Sequence, residues 1–382
     1  MALTKQIAHA WRGARREVAL QQGAVAKLVR ALLLLKLVVR ELLGTLLLAP
    51  YGLRAALCRR ALVGAGRLRV ERYGLQPRNS VEVVVGAAGA STLKPVVVFV
   101  NGGVWSAGDA WQFAPLAQAL SDSGAVVCVA QYTLYPATTA PTMVLEVQAA
   151  VEWVQRNVAR FGGDAARVSV VGHSAGAHLA ASAVLSRARA PPPLPPLHAF
   201  VGIAGVYDVA EHFRFETWRG VQNLSTMEAA MGGQEAFAAL SPSLTLHAAL
   251  APHLPPFVLL SSEADSTVPT GQSDTMLRAA MAAGASATHL VYSSITHLQF
   301  ATGWEYGRPV VDELPLLGEP HSRRVMAHVA DVIAVVSRPS RSQLAVLIKD
   351  VKTGTLKQPA LPRRPAAPRA RAQTAALPRA VA

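Results

Sequence analysis

Ser174 stands between glycines at both second neighbours, in Gly172-His173-Ser174-Ala175-Gly176. An apolar run, Arg167-Val168-Ser169-Val170-Val171, precedes it, and a helix-forming run from Ala177 to Arg187 follows. A serine placed so sits on a strand-to-helix turn too sharp for large side chains at 172 and 176. The turn exposes its hydroxyl at the carboxyl end of a sheet, as a nucleophile requires. To act, that hydroxyl needs a base, and the base needs an acid to orient it. In this setting the chain order is serine, acid, histidine. Asp265 lies 91 residues after Ser174, just past the apolar run Pro256 to Ser261. Glu263 competes for the role but is closer to the strand end. His297 follows 32 residues after Asp265, at the end of Ser294-Ile295-Thr296-His297 and behind the short run Leu290 to Tyr292. The other ten histidines, His173 and His178 among them, read as structural or supporting. Upstream, Pro95 to Val100 runs into Asn101-Gly102-Gly103-Val104-Trp105. Small residues there let the amides of Gly102 and Gly103 join that of Ala175 as an oxyanion hole, where a plain surface turn is the bland alternative. The chemistry of such a set is acyl transfer.

These residues need a scaffold that brings them to one sheet edge. Strand-like runs fall near 81–86, 95–101, 124–131, 167–172, 198–204, 256–262 and 288–293. Helix-like stretches fall at 110–121, 142–160, 175–188, 270–283 and 320–336. Their alternation predicts an α/β fold with a mostly parallel sheet and helices on both faces. An insertion from about 206 to 253 is expected to cap the site. Its Phe213, Phe215, Trp218, Met227, Met231 and Phe237 either line an apolar groove or form the core of the cap itself. Trp105, His173 and Trp218 are the candidates for contact with a substrate.

From about Tyr73 to Val336 the chain resembles the α/β-hydrolase branch that contains the plant isoprenylcysteine methylesterases. The resemblance rests on Tyr73-Gly74-Leu75-Gln76-Pro77-Arg78-Asn79, on the Gly102-Gly103 loop with Trp105, and on Phe161-Gly162-Gly163-Asp164. It continues through Ser174-Ala175-Gly176-Ala177-His178, Leu254-Pro255-Pro256, Asp265 with Val268-Pro269, and Thr296-His297. It implies an α/β-hydrolase fold and removal of the methyl ester from a carboxyl-terminal S-prenylated cysteine. Other hydrolases of the branch, such as general carboxylesterases and arylformamidases, are the alternative, ahead of a non-catalytic receptor on the same fold. Three departures are visible: Asn101 and Val104 in the oxyanion loop, His173 where the family often has Gln, and Gln131-Tyr132-Thr133 for Asp-Tyr-Arg. The last removes a charge pair that would brace its loop.

The net charge of +14 is concentrated at the ends. Residues 1–72 hold 14 Lys/Arg against 3 acids, residues 337–382 hold 10 against 1, and residues 73–336 hold 13 against 19. A mildly acidic hydrolase domain argues against nucleic acid binding, which places basic residues over the folded surface. Residues 31–49 carry a long apolar run interrupted by Lys36, Arg40 and Glu41. Each such charge costs roughly 2.5 to 3.5 kcal/mol at the centre of a span, against about 0.3 to 0.6 gained per Leu or Val, so a clean crossing is not expected. At 100° per residue, Leu32, Leu35, Val38, Val39, Leu42, Leu43 and Leu46 share one face, with Lys27, Arg30, Lys36, Arg40 and Glu41 opposite. The pattern is that of a helix lying in a membrane surface, or else of one packed on the hydrolase domain. The resemblance implies membrane association, at the endoplasmic reticulum or Golgi, with the catalytic domain facing the cytosol. Residues 337–382 read as a basic, disordered Pro/Ala/Arg-rich tail. Two cysteines, Cys58 and Cys128, allow no disulfide framework, and no motif calls for a metal or cofactor.

Overall fold

Strands rich in valine, with alternate residues facing opposite sides, demand cover on both faces of a sheet. A computed structural model of the chain describes residues 2–47, 49–86, 92–190 and 192–304, with 329, 332 and 333, and shows how that cover is supplied. The strands are β1 (Leu68–Arg72), β2 (Ser80–Val84), β3 (Lys94–Val100), β4 (Val126–Ala130), β5 (Gly163–His173), β6 (Ala199–Ile203), β7 (Phe257–Ser262) and β8 (Ala287–Tyr292). They form one sheet in the order β1-β2-β4-β3-β5-β6-β7-β8. β1 and β2 pair antiparallel with their neighbours, and β4 through β8 run parallel. Among the described residues the α-helices of at least four residues are α1 (Ala2–Ala19), α2 (Ala24–Leu47), α3 (Ala49–Gly64), α4 (Ala114–Asp122), α5 (Ala140–Asn157), α6 (Ala175–Arg189), α7 (Val209–Arg219), α8 (Met227–Met231), α9 (Pro242–Thr245), α10 (Thr270–Ala282) and α11 (Gln299–Thr302).

Alternation along β3 divides the core. Val96, Val98 and Val100 face α5, α6, α10 and the cap, whose Met227, Met231 and Phe237 join the same buried cluster. Val97 and Phe99 face Leu62 of α3, Leu116 and Leu120 of α4, Phe300 of α11, and the helical Val329, Val332 and Ile333. Each expected strand is present within a few residues. The expected helix over 320–336 lies outside the described residues except for those three positions, and the 337–382 tail lies outside them altogether.

The sheet takes one strand from the amino-terminal segment. Leu68–Arg72, counted above with the basic, membrane-associating amino-terminal arm of residues 1–72, pairs in register with β2 as the sheet edge. It reads as arm because only Leu68 is buried in the sequence Leu-Arg-Val-Glu-Arg. α3 also packs on the domain. Tyr51 donates to the Gln112 carbonyl at 2.6 Å, and Arg59 pairs with the buried Glu82 at 2.8 Å. The Cys58 thiol donates to Gln118, and burial raises its pKa, which disfavours the reactive thiolate. α1 and α2 dock instead on the loop after α7. Glu17, buried, pairs with Arg30 and accepts from the Gln222 amide at 3.0 Å and from Asn223. Arg30 also donates to the Gly220 carbonyl at 3.1 Å, so it faces the cap and not a headgroup layer. Among the described residues, no helix is long and apolar enough to cross a membrane.

Candidate active site

β3 and β5 lie side by side with Val100 opposite Gly172, so the loop after one strand is laid against the turn after the other. This adjacency builds the site. Ser174 adopts φ 55° and ψ −125° between β5 and α6. A Cβ on Gly172 would come 2.5 Å from the Ala177 Cα, and one on Gly176 would strike the Val100 and Asn101 carbonyls. Both glycines are thus required by close backbone approach. Gly102 is required likewise, since its Cβ would lie 2.8 Å from the Cβ of Ser174.

The structure brings Ser174, Asp265 and His297 together. Ser174 Oγ lies 2.9 Å from His297 Nε2, and His297 Nδ1 lies 2.7 Å from Asp265 Oδ2. Asp265 Oδ1 accepts from the Thr267 and Val268 amides at 2.8 and 2.9 Å. Burial alone would raise the Asp265 pKa, but the His297 hydrogen bond and charge, with the two amides, outweigh it and hold the carboxyl below its usual range. An ionised acid there fixes the imidazole with its proton on Nδ1 and the lone pair of Nε2 toward the serine. The competing Glu263 is exposed and its amide caps β8 at Tyr292.

Ala175 is the first residue of α6, so its N–H is one of the donors a helix leaves unpaired at its start. The Gly102-Gly103 loop stands beside it. Val104 and Trp105 follow with φ 47° and 58°, conformations that cost side-chain-bearing residues roughly 1–3 kcal/mol each. Of four non-glycine residues with positive φ among those described, three belong to this loop or to the elbow. Strain is therefore concentrated where the backbone must aim donors at one point.

The substrate-contact expectations need correction. Trp105 is only 1% exposed, and its indole N–H donates to His178 Nδ1 at 3.1 Å. It braces the loop from behind because the chain turns its side chain into the core. His178 passes the connection on, with Nε2 donating to the Leu240 carbonyl of the cap at 2.8 Å. Burial pushes its pKa down to about 4, so it serves as a neutral relay between loop and cap. His173 is also buried, its ring tilted 38° against the His297 ring at 4.8 Å, with Nε2 donating to the His297 carbonyl at 3.2 Å. Burial, with the neighbouring His297 charge, pushes it down to about 3. It holds the catalytic-type imidazole in place. Trp218 is 82% exposed, on the outer face of α7 against Phe215. Met227, Met231 and Phe237, with Phe213 against Phe237, are buried in the same cluster as the β3 valines and anchor the cap on the domain core.

Spacing alone gave no sign of the roles of His212 or Thr226. His212 and Glu216, one turn apart on α7, are buried with Nε2 and Oε1 3.7 Å apart. Burial, then His297 repulsion, pushes His212 to about 3, and burial raises Glu216 to about 7. His212 thus adds no cation beside His297. The missing Asp–Arg brace is also replaced. Glu146 of α5 accepts from the Thr133 amide and hydroxyl at 2.6 and 2.9 Å, while Arg78 donates to the Tyr132 and Gly108 carbonyls at 2.9 and 2.6 Å. The Tyr73–Asn79 segment therefore buttresses the oxyanion loop through Arg78.

Comparison with known proteins agrees with this construction. The family model BD-FAE matches residues 84–280, just over half of the chain. An isoprenylcysteine alpha-carbonyl methylesterase from Arabidopsis thaliana is 33% identical over 240 residues, covering 59% of this chain and 55% of that protein. Esterase LipQ from Mycobacterium tuberculosis is 32% identical over 203 residues, covering 50% of this chain and 47% of its own length. The chain spans about half the length of these curated relatives. A solved thermostable esterase from Pseudomonas putida ECU1011 superposes with a TM-score of 0.57 at 22% identity, over 72% of this chain and 85% of that one, which bears on the fold alone. The family match runs from the end of β2 into α10 and so takes in both the elbow and the loop after β3; the chain belongs to the BD-FAE family, on an α/β-hydrolase fold, and resembles the isoprenylcysteine methylesterases.

Proposed function

We propose that this chain is a serine esterase and that its substrate is the methyl ester of a carboxyl-terminal S-prenylated cysteine. The observation that carries the esterase reading is the continuous relay from Ser174 Oγ through His297 to the Asp265 carboxylate, at 2.9 and 2.7 Å. Ser174 Oγ attacks the ester carbonyl as His297 Nε2 takes its proton. The tetrahedral oxyanion faces the amides of Gly102, Gly103 and Ala175. As the C–O bond breaks, His297 returns the proton to the departing methoxide and methanol leaves. Water, deprotonated by His297, then attacks the acyl-serine and releases the carboxylate.

The prenylcysteine reading is supported by likeness to the plant methylesterases, and LipQ favours a general carboxylesterase instead. A direct comparison separates them. Buried methylene is worth about 0.8 kcal/mol, so engaging even a few carbons of the lipid should raise kcat/KM for S-farnesylcysteine methyl ester by tenfold or more over the S-methyl analogue. Equal kcat/KM values, measured by methanol release, would leave only the general esterase.

We further propose that the amino-terminal arm holds the enzyme at a membrane surface. α2 exposes Val25, Leu28, Val29, Leu32, Leu33, Leu35 and Val39, in a segment whose charged residues are mostly basic. Replacing Leu28, Leu32 and Leu35 with Asp should weaken binding of the full chain to phosphatidylserine vesicles by about tenfold per residue, since each leucine buries about 1.5–3 kcal/mol of apolar surface. Unchanged sedimentation with such vesicles would remove the proposal.

A further inference from the structure

The oxyanion loop is held in its strained shape by a hydroxyl from another part of the chain. Thr226 lies at the start of α8, in the cap, and is nine-tenths buried. Its Oγ1 donates to the Val104 carbonyl at 2.6 Å and lies 3.1 Å from Ser106 Oγ. Val104 and Trp105 are consecutive non-glycine residues with positive φ, and Val104 is β-branched, for which that region is strongly disfavoured. Such a conformation persists only where surrounding contacts over-determine it. The contacts to this loop are well directed. The Tyr135 amide donates to the Trp105 carbonyl at 2.9 Å, the Trp105 indole is tied through His178, and the Ser106 and Ala107 amides donate to the Gly103 carbonyl at 3.0 and 2.9 Å. The Val104 carbonyl is held by Thr226. Released, the Val104–Trp105 peptide can rotate and let Trp105 turn toward negative φ, a change passed back through the Gly103–Val104 peptide to the Gly103 amide.

We propose that Thr226 is a positioning residue for the oxyanion hole, acting through the Val104 carbonyl to keep the Gly102-Gly103 amides directed at the oxygen of the carbonyl attacked by Ser174. The insertion is then a clamp on the catalytic loop as well as a cover. The neighbouring residue strengthens this role: Ser225 Oγ donates to the buried Glu216 of α7 at 2.9 Å and accepts from the Met227 amide at 3.2 Å, so the turn carrying Thr226 is itself anchored on both sides. The inference rests on the esterase reading of Ser174.

The test is Thr226→Val, which keeps the branched shape and removes the hydroxyl, with Thr226→Ser as the conservative partner. Loss of a single oxyanion donor costs about 100- to 1,000-fold in kcat, and misdirecting one should cost on the order of tenfold or more. For Thr226→Val, kcat should fall by that factor with KM nearly unchanged. Affinity for phenylboronic acid, whose tetrahedral adduct with Ser174 fills the same hole, should weaken in parallel. Thr226→Ser should restore both. Parental kcat and boronate affinity in Thr226→Val would overturn the proposal, and so would a loss that Thr226→Ser does not recover, since that marks packing and not the hydrogen bond. If the parent chain hydrolyses no ester yet binds the boronate, and Thr226→Val loses that binding, the esterase reading falls and the positioning role stands. A parent chain that does neither sinks both.

Discussion

Ser174→Ala should lower kcat for ester hydrolysis by about a million-fold, the scale seen when the nucleophile of a serine relay is removed. The fold should survive, because Ser174 Oγ makes no capping bond to α6 and its recorded side-chain partner is His297. Labelling by a fluorophosphonate should vanish with the activity. The chain contains its own control. Ser261 Oγ lies 2.7 Å from His289 Nε2, and His289 Nδ1 lies 2.9 Å from Asp274 Oδ1, so the same three residue types are aligned a second time. Ser261 is in regular strand β7, 2% exposed, and His289 is in β8. No sharp turn lifts that hydroxyl out of the sheet, and no helix start offers it amides. Ser261→Ala should leave labelling at Ser174 and turnover intact while costing about 1–3 kcal/mol of stability for the unpaired His289 nitrogen. Full activity in Ser174→Ala, or label found on Ser261, would refute the assignment.

Asp265→Asn should lower kcat by about ten-thousand-fold with little change in structure. The reason is the direction of the hydrogen bonds. Oδ1 accepts from two backbone amides, at 2.8 and 2.9 Å, which can be satisfied only by the carbonyl oxygen of the asparagine side chain. Its NH2 group must then face His297 Nδ1. The imidazole flips to the tautomer that accepts there, its proton moves to Nε2, and no lone pair remains to receive the serine proton. Binding of substrate is untouched, so KM should hold while kcat collapses. Combining Asp265→Asn with Ser174→Ala should cost no more than Ser174→Ala alone, since the residues act as one unit. A loss near tenfold for Asp265→Asn would show that the acid only adds charge and does not select the tautomer.

The ionised state of Asp265 also links folding to pH. Its pKa lies below the usual carboxylate value in the folded chain, so its contribution is present above the unfolded value and is lost as pH falls through the folded one.

What could be read from the residues in order was whatever one segment dictates by itself. Valine runs such as Pro95 to Val100 have to be buried strands, and glycines at 172 and 176 leave Ser174 on a turn that few other pairs allow. Chain order then proposed Asp265 and His297. Tertiary structure decided what depends on the meeting of distant segments. β1 was hidden because an edge strand buries one side only, and Leu-Arg-Val-Glu-Arg matches the basic arm before it. Trp105 and Trp218 looked alike as aromatic candidates, yet one turns into the core to meet His178, 73 residues away, and the other lies on the outer face of α7. Thr226 carries no signal at all in its own neighbourhood. Its contact to Val104 spans 122 residues and exists only because the cap folds back over the loop after β3. Local sterics are written in neighbouring residues, whereas the aim of a hydrogen bond across the fold is set by packing that no short segment contains.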